Sequence, residues 1–135
     1  MTKRQRQALQ ALERRLNYQF KNFDLLQEAM SHSSLEGAKN NERLEFLGDG
    51  VLNLVVAEYL IAHFPHVQEG KLSRMRAQLV CKEALAKVAA AYSISDALIL
   101  GPSEARVLGS FAAKSKERSA NKEPNQRKIA SLATS

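Results

Sequence analysis

The chain lacks most of what would mark a secreted or membrane protein. Cys81 is the one cysteine in 135 residues, so no internal disulfide can form and a reducing cytoplasm suits the chain. Set among apolar neighbours, Cys81 reads as a small core residue rather than a nucleophile. No apolar run approaches the roughly 20 residues that cross a bilayer. The basic start, Met1-Thr2-Lys3-Arg4-Gln5-Arg6, leads into a polar amphipathic pattern instead of a signal peptide's apolar stretch. No segment alternates apolar and polar residues as a half-buried strand does, and nothing repeats internally. His32, His63 and His66 lack metal-ligand spacing. Ser31, Ser33 and Ser34 have no His–Asp pattern to activate a nucleophile. No helix concentrates the base-reading residues of a DNA-binding domain.

What remains is an ordinary composition, 44% apolar and 25% charged, and a length that suits one domain with a single core. The net charge of +6 is unevenly placed. Residues 109–135 hold six basic and two acidic residues, whereas the first 108 hold 14 basic and 12 acidic. Basic charge favours polyanions through counterion release, but the folded part is nearly balanced, so the overall charge argues only weakly for nucleic acid.

Helical periodicity runs through nearly the whole chain. Leu9, Leu12 and Leu16 set a helix over about 5–16, followed by Tyr18-Gln19-Phe20, whose aromatics can pin a turn. Asn22 is placed to cap a short helix over 23–30, and 31–40 reads as a polar loop. A long helix is expected over 41–64, stopped by Pro65. Helices over 71–80, with Leu72, Met75 and Leu79 inward, and over 82–92, with Leu85, Val88 and Ala89, come next. A short apolar segment, 97–100, ends at Gly101-Pro102. Beyond Gly109 the sizeable apolar groups thin to Phe111, Ile129 and Leu132, and residues 112–135 read as a basic, disordered tail.

The long helix carries the chemistry. In Asn41-Glu42-Arg43-Leu44-Glu45-Phe46-Leu47-Gly48-Asp49, Glu42, Glu45 and Asp49 fall within an arc of roughly 60° on one helical face. Leu44, Leu47, Val51, Leu54 and Val55 gather opposite, where a core is expected. Neighbouring acids repel and raise one another's pKa, which a divalent cation relieves; an all-oxygen site suits Mg²⁺ or Mn²⁺. The competing explanation is that acids favour a helix N-terminus through the macrodipole. Gly48 and Gly50 each cost a helix about 1 kcal/mol relative to alanine. That cost points to a close approach there by another helix, a second subunit or a nucleic-acid backbone. Lys71, Arg74 and Gln78 share one face of a later helix and could meet successive phosphates, or form a solvated surface; Glu69 sits just before them, where the helix dipole favours it.

The stretch from Asn41 to Asp49 resembles the signature of the ribonuclease III family. The likeness continues in Leu25-Leu26-Gln27-Glu28-Ala29-Met30-Ser31-His32, His63-Phe64-Pro65, Glu69-Gly70-Lys71-Leu72-Ser73-Arg74-Met75-Arg76-Ala77 and Leu100-Gly101, in the family's order. The resemblance implies an all-α endonuclease-domain helical bundle over residues 6–111, a homodimer, and Mg²⁺-dependent (or Mn²⁺-dependent) hydrolysis of double-stranded RNA in the cytoplasm. No membrane and no small-molecule cofactor are implied. Glu45 matches the metal-ligating glutamate and Asp49 the catalytic aspartate. Glu42 and Glu69 match acids lying close to the catalytic valley, and Phe46 an aromatic packing across the dimer interface. Lys71, Arg74, Gln78 and Glu69 are the residues expected along the RNA.

Three departures follow from the same comparison. Gly50 replaces a serine or alanine, and Ser33 replaces a basic residue. Most seriously, the motif Ser-x-Leu-Ala-Asp-x-x-Glu-Ala, which supplies the second Asp and Glu, does not appear. In its place stands Phe111-Ala112-Ala113-Lys114-Ser115-Lys116-Glu117-Arg118-Ser119, where neither Glu117 nor the later Glu123 has the motif around it. The family's C-terminal double-stranded-RNA-binding domain is likewise expected to be missing. The bundle is therefore expected to lack its last core helices, through truncation or out-of-frame readthrough after Gly109. The alternative to an endoribonuclease is a non-catalytic remnant of the same domain that dimerises or binds double-stranded RNA without cutting it.

Overall fold

In the computed structural model, residues 1–35, 37 and 39–120 are described, with the side chains of 111, 112 and 115–120 left aside. Six α-helices succeed one another: α1 Lys3–Leu16, α2 Phe23–Ala29, α3 Glu42–His63, α4 Glu69–Leu79, α5 Lys82–Ala91 and α6 Pro102–Ala120. A 3₁₀ turn, Ile94–Ala97, separates α5 from α6. Among the described residues there is no strand, only an isolated parallel bridge between Ser31 and Ile99, so the all-α expectation holds. The chain divides into two units, Met1–Ile99 and Leu100–Ser135. No described helix is long and apolar enough to cross a membrane.

Local chemistry sets the helix ends. Thr2 and Gln5 form a reciprocal capping box at the start of α1, which satisfies two otherwise orphaned N–H groups. Asn17 ends that helix in the left-handed region at φ 51°, a conformation asparagine tolerates better than most residues. Glu13 Oε2 then accepts from the Phe20 N–H at 2.7 Å, and the Tyr18 and Phe20 rings meet edge to face at 4.9 Å. The Asn22 side chain caps α2 by accepting from the Asp24 N–H at 3.1 Å, as its position in the sequence predicted.

The core of the first unit joins α1, α2 and the segment around Ile99. Leu9, Leu12, Leu26, Met30, Ala97 and Ile99 form one buried cluster, flanked by Leu16, Phe20, Phe23, Leu35, Ile94 and Leu98. The backbone locks it: the Ile99 N–H donates to Met30 O and the His32 N–H to Ile99 O, each at 2.9 Å. Arg15 ties α1 to the end of α5, its guanidinium donating to Tyr92 O at 2.6 Å and Ser93 O at 3.0 Å. The loop after α2 feeds α3 through the Asn41 N–H, which donates to Ser31 O at 2.8 Å.

Four expectations are corrected. First, the arc of Leu44, Leu47, Val51, Leu54 and Val55 is not a core face: Leu47 is 62% exposed and Leu54 60%. Leu60 is the buried residue of α3, with Asn53, Val56 and Ala57 half-buried beside it. Leu60 stands 18 residues, or about five turns, after Glu42, so the packed side of α3 continues the acidic arc instead of opposing it. Second, α4 begins at Glu69 rather than Lys71, because Gln68 O already accepts from the Lys71 and Leu72 N–H groups at 3.1 Å. Third, α4 and α5 hold no fully buried residue; Leu72, Met75 and Ala89 are half-buried, whereas Leu79, Leu85 and Val88 are exposed, since no described element of the unit covers their outer sides. Fourth, residues 112–120 are helical within α6 where disorder was expected. Alanine, lysine, glutamate and arginine are strong helix formers, so local propensity favours the helix there. Residues 121–135 of the expected tail lie outside the described residues.

Candidate functional site

The acidic residues owe their places to the first two turns of α3. The helix starts with its Asn40 side chain accepting from the Glu42 N–H at 3.1 Å, and the Glu45 N–H donates to Asn41 O at 2.7 Å. Glu42, Glu45 and Asp49 thus lie along one arc, all solvent-exposed. Asn53 follows on the next turn and donates its side-chain amide to Asp49 O at 2.9 Å. Phe46, at 85% exposure, stands beside the same arc and away from the apolar one, as its register predicted. An open cleft lined by Glu28, Glu42, Arg43, Leu44, Phe46 and Leu47 adds Glu28 from α2 to the neighbourhood of the acids. Sequence spacing carried no signal for Glu28, because it arrives from a different helix.

Against α3 lies α4. The seam between them holds a small cavity of about 160 Å³, lined by Ala57, Leu60 and Ile61 on one side and by Glu69, Leu72, Ser73 and Arg76 on the other. Glu69 Oε1 accepts from the Ser73 hydroxyl at 2.9 Å, so its carboxylate is partly engaged within its own helix. Lys71, Arg74 and Gln78 share the exposed side of α4, while Arg76 turns inward and is half-buried. Of the close approaches expected at the glycines, none is made by a described residue. A Cβ built on Gly48 or Gly50 meets nothing within 4 Å, so no described residue approaches α3 there.

Among the described residues, no group of three or more His, Cys, Asp or Glu side chains could hold an ion. The three carboxylates follow one another along a single helix, and Glu28, which α2 brings to the cleft beside Glu42, does not complete a group that could hold an ion. As they stand they do not form the oxygen cage that a divalent cation takes.

Comparison with known proteins decides what this arrangement belongs to. The Ribonuclease-III-like family model matches residues 22–127. The chain belongs to the ribonuclease III family. The ribonuclease 3 of Psychromonas ingrahamii is 52% identical over 96 residues, which cover 71% of this chain and 42% of that protein. That of Pseudomonas aeruginosa is 52% identical over 97 residues, 72% of this chain and 42% of that protein. The chain therefore spans less than half the length of the curated relatives it matches. In three dimensions it is similar to the nuclease domain of ribonuclease III from Campylobacter jejuni, at TM-score 0.71 and 44% identity, over 75% of this chain and 71% of that one. That domain is described as showing structural flexibility in a region involved in dimer formation. A second structure of the same nuclease domain matches at TM-score 0.69 and 44% identity, over 74% of this chain and 68% of that one. The family match runs past residue 111, where the resemblance in the sequence ended.

Proposed function

We propose that this chain carries the first acidic half of an endoribonuclease centre that hydrolyses phosphodiester bonds of double-stranded RNA in the cytoplasm, as in rRNA and mRNA processing. The observation that supports it most directly is the exposed arc of Glu42, Glu45 and Asp49 on α3, within a fold that matches a ribonuclease III nuclease domain. In this reading Asp49 and Glu42 are the groups placed to accept a proton from a water attacking phosphorus. Glu45 is the carboxylate that would hold a divalent ion, Mg²⁺ or Mn²⁺, once a second acidic pair stood beside it, and the ion would supply charge stabilisation at the phosphoryl oxygens.

The neighbouring helix provides the hold on substrate. Lys71 and Arg74 offer charge, and Gln78 a neutral amide, to successive phosphates of a duplex recognised by shape and 2′-hydroxyls. Glu69 borders that surface and, held by Ser73, positions rather than reacts. Phe46 meets a second copy across a two-fold axis, an isologous arrangement that sets two centres against opposite strands. The domain reaches from residue 6 to 111, with 112–135 as a basic appendage.

A second reading, binding or dimerisation without cleavage, is favoured by one observation: among the described residues no three acids form a group that could hold an ion. Duplex-RNA cleavage with Mg²⁺ separates the two. The native chain is assayed beside a chimera in which Phe111 to Ser119 is replaced by the Ser-x-Leu-Ala-Asp-x-x-Glu-Ala motif. Cleavage by the chimera that disappears in its Glu45→Gln and Asp49→Asn forms supports the catalytic reading. Cleavage surviving both substitutions, or a folded chimera that cuts nothing, removes it.

A further inference from the structure

We propose that the carboxylates of α3 are a half-site in this chain: they gather divalent cations only diffusely, and no ion is bound at a defined position. The inference deepens the reading of the centre given above and rests on it. Helical rise is the first argument. At 1.5 Å per residue, Glu42 and Asp49 are separated by about 10 Å along the axis. A Mg²⁺ ion holds its ligand oxygens at about 2.0–2.1 Å, so opposite ligands lie only about 4 Å apart. One ion can therefore meet two adjacent carboxylates of the arc, Glu42 with Glu45 or Glu45 with Asp49, but not all three.

Exposure is the second argument. Glu42, Glu45 and Asp49 are all open to solvent, so water competes for every position an ion would offer, and Mg²⁺ gives up its own waters reluctantly. The third is the rest of the chain. No aspartate follows Asp96, and the stretch where the family places its second acidic pair carries Lys114, Lys116 and Arg118 with Glu117 as its one acid. Among the described residues these acids, even with Glu28 of α2 in the cleft beside Glu42, form no group of three or more that could hold an ion. What remains is a patch of negative potential, which raises local cation concentration within a Debye length of about 8–10 Å without selecting a site.

Manganese uptake tests this in the intact chain, followed by the loss of the free-ion electron paramagnetic resonance signal at fixed ionic strength. Uptake is expected to rise without saturating up to 1 mM Mn²⁺, and the Glu45→Gln/Asp49→Asn double variant is expected to take up Mn²⁺ within threefold of the native chain. Saturation at one ion per chain below 1 mM, or a loss of threefold or more in the double variant, overturns the proposal. Should the double variant fail to fold by circular dichroism, the saturation curve of the native chain decides alone. The outcome is separable from the test of function: a chimera that cuts nothing sinks the catalytic reading, whereas tight Mn²⁺ binding by the native chain sinks only the half-site.

Discussion

Replacing Gly50 with alanine should make this protein more stable, and the size of the gain can be worked from the structure. Gly50 lies on the third turn of α3, exposed, and a Cβ built on it meets no heavy atom within 4 Å. Its conformation is helical and needs no glycine. Alanine therefore adds no clash, while it removes the helix penalty of about 1 kcal/mol, part of it by restricting the unfolded chain. For a unit of about 100 residues, 1 kcal/mol corresponds to a rise in Tm of about 4–8 °C. Urea denaturation followed at 222 nm should show the midpoint move up by about 0.3–1 M with an unchanged slope. Gly48→Ala should behave alike, and since residues two apart on a helix do not face each other, the pair should reach about 2 kcal/mol. An unchanged or lower midpoint would refute the reasoning. It would mean that something outside the described residues comes close to α3 at this point. Repeating the titration over a tenfold range of protein concentration identifies a second copy as the cause, because only then does the midpoint depend on concentration.

Other perturbations probe the remaining features. Leu9→Ala, at a fully buried side chain, should cost about 2–5 kcal/mol, read as a lower urea midpoint; a cost below 1 kcal/mol would contradict the placement of the core. Arg15→Met keeps most of the side chain's length but removes its bonds to Tyr92 O and Ser93 O, and should cost about 1–2 kcal/mol. Leu54→Ser, on the exposed side of α3, should change stability by no more than about 0.5 kcal/mol; a loss above 2 kcal/mol would show that this side is covered in solution.

Much of the fold could be read from the sequence where the controlling physics is local. Asn22 as a cap, Pro65 as a stop, and the polar loop of residues 31–40 all follow from side chains acting on their own backbone. The side of α3 that packs could not be read in this way. Leu52, Val56 and Leu60 are as apolar as Leu47, Val51 and Leu54, so the helix is apolar on most of its circumference and periodicity cannot choose between faces. The choice is made by α2 and α4, whose approach is a tertiary event. The bridge of Ser31 to Ile99 joins residues far apart in the chain and left no local trace. In α6 the error ran the other way: the missing apolar period was taken as missing structure, although alanine and charged residues suffice for a helix.

The candidate site divides similarly. The arc of Glu42, Glu45 and Asp49 was visible from spacing, as was the shared side of Lys71, Arg74 and Gln78, because both are properties of one helix. The presence of Glu28 near Glu42 was not visible, since it depends on how α2 and α3 meet. The close approach expected at Gly48 and Gly50 came from a helix penalty that the described residues leave unexplained.

Burial in the first unit is concentrated where α1, α2 and Ile99 meet, whereas Glu42, Glu45 and Asp49 are exposed. Amide protons of α1 and α2 should accordingly outlast those of α4 and α5 in heavy water, with the acidic turns of α3 among the early exchangers. The chain would then breathe first at the end that carries the acidic arc, opening and reclosing that surface many times for each complete unravelling.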